Sequence, residues 1–281
     1  VRLRDELFDL TSAASGEIHR HMKIATWNIN GVKARLDNAL TWLQAAEPDV
    51  VCFQEIKSVD EGFPKSAFED IGYAVATHGQ KGFNGVAILS KRGIDDVRAR
   101  LPGDDEDEQA RYLEADIVGD NAVITVASIY LPNGNPIGTE KFSYKLAWMD
   151  RLAAHARQRL ALEMPLVLAG DYNVIPEPKD AKNPDAWTGD ALFQPESRTA
   201  FRALSALGFT DAVRACYPAD DVYTFWDYQA GAWNKNHGIR IDHMMLSPEA
   251  ADLLTACGID RDTRGWEKPS DHVPVWVEMR V

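Results

Sequence analysis

The sequence predicts an α/β fold. Short apolar runs at Asp49–Gln54, Gly85–Leu89, Ala122–Tyr130 and Pro165–Ala169 read as buried or half-buried strands, and stretches with helical apolar spacing fall between them. Gly and Pro punctuate the loops, but no segment rich in both divides the chain. With 281 residues, 45% of them apolar, one domain can bury a sizeable core.

Residues 1–21 differ from the rest of the chain. They have neither the apolar core of a secretory signal nor the Arg-rich, acid-poor character of a transit peptide. They read as a leader or N-terminal extension, with Phe8–Leu10 able to dock, ahead of a single domain over 22–281. Met22 opens a strand-like run, Lys23–Trp27. Leu36, Leu40 and Leu43 then recur at three- and four-residue steps, which predicts an amphipathic helix. In the next strand Cys52 lies within Val50-Val51-Cys52-Phe53 and reads as a buried, inert thiol. The acidic run Asp104–Glu108 reads as a solvated loop tip. After the Ala122–Tyr130 strand, a longer helix is expected over Glu140–Leu162, with Phe142, Leu146, Met149 and Leu152 facing inward. The loop Pro178–Pro195 is polar and carries no element signal.

Composition narrows the function classes. No stretch approaches the roughly 18 uninterrupted apolar residues of a membrane helix, so no membrane partner is expected. Acidic residues outnumber basic ones by 43 to 30, a formal charge of −13. That argues against coating nucleic acid by bulk attraction, but it allows a local basic groove around a carboxylate-built site. Cys52, Cys216 and Cys257 are odd in number and far apart, which favours a reducing, cytoplasmic compartment over a disulfide framework.

The strand ends carry the chemistry. Acids and amides succeed apolar runs in Trp27-Asn28-Ile29-Asn30, Phe53-Gln54-Glu55, Ala169-Gly170-Asp171-Tyr172-Asn173, Arg240-Ile241-Asp242 and Ser270-Asp271-His272. Ligands of open α/β sheets gather at the carboxyl ends of strands. Hard oxygen ligands converging there suit Mg²⁺ or Mn²⁺. Each piece also has an ordinary structural reading: turn closure for Asn28 and Asn30, an Asx-turn for Asp171 and Asn173, a pairing of Asp242 with Arg240. Their repetition in one chain is what makes chance a poor explanation.

The runs 23–31 (Lys-Ile-Ala-Thr-Trp-Asn-Ile-Asn-Gly), 52–57 (Cys-Phe-Gln-Glu-Ile-Lys), 78–82 (His-Gly-Gln-Lys-Gly), 168–173 (Leu-Ala-Gly-Asp-Tyr-Asn), 239–242 (Ile-Arg-Ile-Asp) and 267–272 (Glu-Lys-Pro-Ser-Asp-His) occur in that order. This ordered set resembles the exonuclease III family of abasic-site DNA endonucleases, within the endonuclease/exonuclease/phosphatase superfamily. The resemblance runs from about Met22 to Trp276. It implies a four-layered α/β sandwich: two mixed β-sheets packed face to face, with helices outside.

The same resemblance implies the site. Glu55 would hold Mg²⁺ (or Mn²⁺), with Asn28, Asp171, Asn173 and Asp271 around the ion directly or through water. Asp242 would fix the tautomer of His272, Asp171 would move the proton of the attacking water or of the departing 3′ oxygen, Asn173 would position that water, and Tyr130 would contact the phosphate. Arg111, Lys141, Asn236 and Arg240 match DNA-contacting positions. Phe225 and Ile241 would wall a pocket for a sugar lacking its base, beside Ile239, a position that is aromatic in some relatives. The implied activity is Mg²⁺-dependent hydrolysis 5′ to an abasic site, leaving a 3′ hydroxyl, with 3′–5′ exonuclease and 3′-phosphatase activity alongside. The implied partner is double-stranded DNA with abasic sites or blocked 3′ ends, handled by a monomer without an obligate protein partner at a bacterial nucleoid. Relatives acting on other phosphoesters share the machinery but differ in substrate loops. A silent RNA-binding relative would not need the whole set of Glu55, Asp171, Asn173, Asp242 and His272.

Overall fold

Alternation along the strands decides the architecture. The computed structural model describes residues 21–119, 122–219 and 221–281, so the expectation for Phe8–Leu10 falls outside the described residues. The described residues form twelve strands: β1 (His21–Asn28), β2 (Val50–Gln54), β3 (Ala74–His78), β4 (Val86–Ser90), β5 (Gly93–Ala99), β6 (Tyr112–Val118), β7 (Val123–Tyr130), β8 (Leu166–Asp171), β9 (Thr210–Asp211), β10 (Asp242–Leu246), β11 (Leu254–Ile259) and β12 (Val275–Arg280). They form two six-stranded sheets, ordered β11-β12-β1-β2-β4-β3 and β5-β6-β7-β8-β10-β9. Met22, Ile24, Val50, Cys52, Val86 and Ile88 of the first sheet meet Leu113, Ala115, Val126, Val167, Ala169 and Met244 of the second in one buried cluster.

The intervening residues face outward and are buried as well. Ala25, Trp27, Val51, Phe53, Ala87 and Leu89 pack with Ala39, Trp42 and Leu43 of helix α1 (Leu36–Ala46). On the second sheet, Ala127, Ile129, Leu166 and Leu168 pack with helices lying outside it, through Trp148, Met149, Leu152, Phe201 and Leu204. With both faces covered, these strands read as continuous apolar runs, which is why the sequence exposes them. The result is the four-layered sandwich that the resemblance implied. Among the described residues, no helix is long and apolar enough to cross a membrane.

The remaining helices are α2 (Lys65–Glu69), α3 (Glu140–Leu160), α4 (Pro195–Ser205), α5 (Ala212–Cys216) and α6 (Pro248–Ala251). The inward stripe of α3 is Lys145, Trp148, Met149, Leu152 and Ala156. Phe142 and Leu146, expected there, are only half-buried. The stripe is rotated because Trp148, with far more apolar surface than Leu146, takes the core position. The acidic run is also anchored, since Asp107 accepts from the Tyr144 hydroxyl at 2.9 Å and pairs with Arg151 at 2.5 Å, with Asp104 3.6 Å from the same guanidinium. The polar loop after β8 has 3₁₀ turns at Pro178–Asp180 and Pro184–Trp187, and its Ala181 bridges to Ile239.

Two parallel pairs set the position of the site. α1 crosses over between β1 and β2, and α3 between β7 and β8, so each pair ends on one side of its sheet. Asn28 lies opposite Gln54, Tyr130 opposite Asp171, and Asp242 opposite Asp171 across the antiparallel neighbour.

Candidate active site

Buried polar side chains pin the two sheets together directly beneath these strand ends. Gln54 Nε2 donates to Ser128 Oγ at 3.0 Å, and Ser128 Oγ donates to the Phe53 carbonyl at 3.0 Å. Above this pin, Asn28 links both sheets through one amide nitrogen, which donates to Glu55 Oε1 at 3.0 Å and to Asp171 Oδ2 at 2.9 Å. Its oxygen accepts from the Asn30 N–H at 3.0 Å, and its backbone carbonyl accepts from Ser270 Oγ at 2.6 Å. Asn28 in this arrangement aims the two carboxylates.

Glu55 and Asn173 both sit in the left-handed region, at φ 48° and 47°. Such backbone is uncommon for a residue with a side chain and clusters at functional sites. Gly170 is required just before Asp171, because a Cβ there would lie 1.9 Å from the Ile129 carbonyl oxygen. Beyond it, the Asn173 N–H donates to Asp171 Oδ1 at 2.9 Å, the Asx-turn anticipated for this pair. The Asn173 amide is held at both ends: its Nδ2 donates to the Leu131 carbonyl at 2.9 Å, and its Oδ1 accepts from Asn133 Nδ2 at 3.2 Å.

His272 Nδ1–H donates to Asp242 Oδ2 at 2.9 Å, while Nε2 lies 3.7 Å from Asp171 Oδ2, an ion-pair rather than a hydrogen-bond separation. Thr224 Oγ1 fixes the start of β10 by accepting from the Ile241 and Asp242 N–H groups, each at 3.1 Å. Phe225 lays its ring edge-on to His272, with centroids 5.0 Å apart.

The electrostatics stem from burial and crowding. Burial opposes the His272 charge, but the Asp242 and Asp171 carboxylates outweigh it, so the imidazole holds its proton well above the ordinary histidine range. Burial pushes the Asp171 carboxyl up, partly offset by His272 and reinforced by Asp242. Burial would raise Glu55 too, yet the Asn28 hydrogen bond and the Lys57 ammonium, 2.9 Å from Oε2, hold its carboxyl below the usual range. Burial, then the Glu55 and Asp171 charges, keep the Tyr130 phenol protonated and able to donate.

This donor set fits a hard divalent cation. Glu55 is ionised and keeps 20% side-chain exposure, and Asp171 adds a second carboxylate on the same amide nitrogen. Asp171, Asp242 and His272 also offer ligand atoms within 4.8 Å of one another. The Asp242 carboxylate and His272 Nδ1 are bonded to each other, however, so Glu55 and Asp171 have the lone pairs to spare. Asp271 stands beside them and accepts from Asn30 Nδ2 at 2.9 Å.

The cations expected to contact DNA divide. Arg111 lies over the Tyr130 ring at 4.9 Å, and with Lys141, Gln109, Asn133 and Asn135 it lines a groove of about 350 Å³. Asn236 lies in the loop between Phe225 and Ile239, its Oδ1 accepting from Trp226 Nε1 and Arg261. Arg240 corrects the sequence reading. It is 1% exposed and pairs with Asp180 and Asp211 at 2.7 Å each, so it cannot reach a phosphate. Asp242, its alternative partner in the sequence, is bonded to His272 instead. In the abasic-pocket pair, Phe225 is half-buried, and Ile241 lies behind it in a cluster with Ile175, Ala181, Leu192 and Ile239.

Sequence reasoning missed several residues at this site. Lys57 pairs with Glu55 at 2.9 Å, and its Nζ donates to Asn30 Oδ1 at 2.5 Å. Lys57 and Asn30 both stand in the quoted motifs, so the motifs themselves were the signal. Thr224 acts through backbone groups, as Ser270 does in its bonds to Asn28 O and the His272 N–H, which residue type does not reveal.

A model of the Endonuclease/Exonuclease/phosphatase family matches residues 25–272. An exodeoxyribonuclease III of Haemophilus influenzae is 36% identical over 92% of this chain and 100% of that protein. An AP endonuclease structure from Archaeoglobus fulgidus superposes with a TM-score of 0.88 at 38% identity, over 92% of this chain and 100% of its own. A structure of the 3′ phosphatase NExo from Neisseria, bound to a product DNA hairpin, gives 0.88 at 35% identity, over 92% and 99%.

Proposed function

The chain belongs to the Endonuclease/Exonuclease/phosphatase family, and from that membership we propose that it is a Mg²⁺-dependent AP endonuclease of DNA repair. It is a hydrolytic, DNA-cleaving enzyme; the proposal adds the ion, the abasic substrate and the residue roles. The phosphodiester 5′ to an abasic deoxyribose is cut to leave a 3′ hydroxyl and a 5′ deoxyribose phosphate. The observation that carries the reading is the convergence of Glu55, Asp171 and the His272–Asp242 pair at the ends of strands from both sheets.

Each side chain has work suited to its state. Glu55 and Asp171 would hold the Mg²⁺, whose contribution would be to neutralise phosphate charge and stabilise the leaving oxygen. Asp171, aimed by the Asn28 amide and facing His272 at 3.7 Å, carries the proton transfer at the reacting oxygen. His272, kept protonated by Asp242, faces a non-bridging phosphate oxygen. Tyr130 donates to the same phosphate, and Asn173 orients the water. Phe225, backed by Ile241, forms the apolar wall against which a base-free sugar rests. The Arg111–Lys141 groove takes the backbone of the flanking strand. The same attack geometry serves removal of 3′ phosphates, where it acts on the 3′-terminal phosphomonoester, and 3′–5′ trimming, where it acts on the last internucleotide phosphodiester.

The test is a labelled duplex with a single tetrahydrofuran abasic analogue, incubated with Mg²⁺ and with EDTA beside an undamaged duplex. Incision 5′ to the analogue, dependent on the ion and absent from the control, is the expected result. Turnover that is indifferent to chelation, or equal internal cutting of the undamaged duplex, would refute the proposal.

A further inference from the structure

We propose that Lys145 is a positioning residue for cleavage: from within α3 its ammonium ties together the loops that succeed β7 and β8, and so fixes Asn173 beside the reacting phosphate. The inference rests on the nuclease reading above. Lys145 is fully buried in the apolar stripe of α3, one turn before Met149. A lysine there is costly, because its charge leaves water without a paired carboxylate: its contacts among the described residues are carbonyl oxygens, Asn133 O at 3.1 Å and Asn173 O at 2.5 Å. An apolar residue would suit the stripe better. What it could not supply is the donor shared by these two carbonyls, of which that of Asn173 would otherwise be buried and under-satisfied.

Asn133 and Asn173 are the residues that meet across the two loops, through Asn133 Nδ2 to Asn173 Oδ1 at 3.2 Å. Their side chains touch at the site while their carbonyls share the ammonium beneath it. The path of the lysine is built in: Gly134 has φ +90°, and a Cβ on it would come within 2.6 Å of Lys145 Cδ and 3.2 Å of Ala191 Cβ. The helix that connects β7 to β8 therefore also clamps the ends of both strands, where Tyr130 and Asp171 stand. Left-handed backbone at Asn173 is the part of the site most in need of such a clamp.

The test is a double-mutant cycle of Lys145→Met and Asn173→Ala, read by single-turnover and steady-state cleavage of the abasic duplex and by hydrogen exchange of segments 131–135 and 171–175. Lys145→Met should lower kcat by about 100-fold, the order expected of a displacement near 1 Å, with KM and DNA affinity within about twofold of wild type. The double variant should be no slower than Asn173→Ala within about threefold, because both changes remove one function. Exchange in the two segments should rise together, and Lys145→Arg should restore much of kcat. Wild-type kcat in the Met variant, multiplying losses in the double variant, or a loss carried by KM would overturn the proposal. If Lys145→Met does not fold, Lys145→Gln, which keeps one donor, is put through the same cycle. An inactive wild-type enzyme would instead refute the nuclease reading, and the exchange data would still decide whether Lys145 clamps the loops.

Discussion

Among single residues, Asp171 bears the heaviest demand. It accepts from Asn28 and from the Asn173 N–H, faces His272 at 3.7 Å and has its carboxyl raised by burial. Asp171→Asn preserves size and one acceptor oxygen but removes both the charge and the proton acceptor. Its single-turnover rate should fall roughly 1,000-fold or more, with DNA affinity by fluorescence anisotropy within about threefold of wild type. A rate near wild type would remove Asp171 from the reaction. Residue identity was legible in the sequence where motifs were ordered along the chain, as for Glu55, Asp171 and His272. It failed for Arg240, because sequence shows a cation next to an active-site strand but not whether the cation points out to solvent or down to buried acids. Lys145 was missed for a related reason: it occupies a stripe position that periodicity reserves for apolar side chains.

Elements carry the next level of constraint, and β10 is the clearest case. Asp242 and His243 at its start point to opposite faces. Asp242 goes to His272, whereas His243 goes to the Val174 carbonyl at 3.0 Å and to Arg240 at 2.9 Å. Burial, then the adjacent Arg240 guanidinium, push the His243 imidazole down to about 4 from its ordinary 6.5. The unfolded chain therefore binds a proton that the folded chain refuses between these values, and this group costs stability as pH falls from 6.5 toward 4. The full effect is about 3 kcal/mol. Denaturant unfolding at stepped pH should show wild type losing its advantage over His243→Gln across that window; a pH-independent difference would mean that His243 does not titrate as described. The strands themselves were legible, because burial on both faces makes them unbroken apolar runs. The α3 stripe was less so, since spacing alone fits either the Leu146 or the Trp148 side, and the buried bulk of Trp148 decides. The polar loop 178–195 was unreadable because its order comes from long-range pairing, Ala181 with Ile239 and Asp180 with Arg240.

Taken across its full surface, a chain of net charge −13 must bind a polyanion through local charge. In the proposed function the Arg111–Lys141 groove beside Tyr130 would supply it, while Arg240, Arg98 and Arg159 are committed to internal acids. DNA affinity should therefore fall steeply with salt, and Arg111→Ala should reduce the slope of log K against log salt by about one. Arg240→Met should leave that slope unchanged and lower stability by about 3 kcal/mol or more, because Asp180 and Asp211 would lose their shared partner. A reduced slope in Arg240→Met, with stability intact, would reinstate it as a DNA contact.

The proposal that strand ends from two sheets hold one ion is tested most directly by locating Mn²⁺ through its anomalous scattering in crystals of the protein. The expected result is a peak about 2.2 Å from a Glu55 carboxylate oxygen, on the Asp171 side, lost in Glu55→Gln. A peak seated on Asp242 and His272 alone, or one found only among the exposed acids at 104–108, would contradict it.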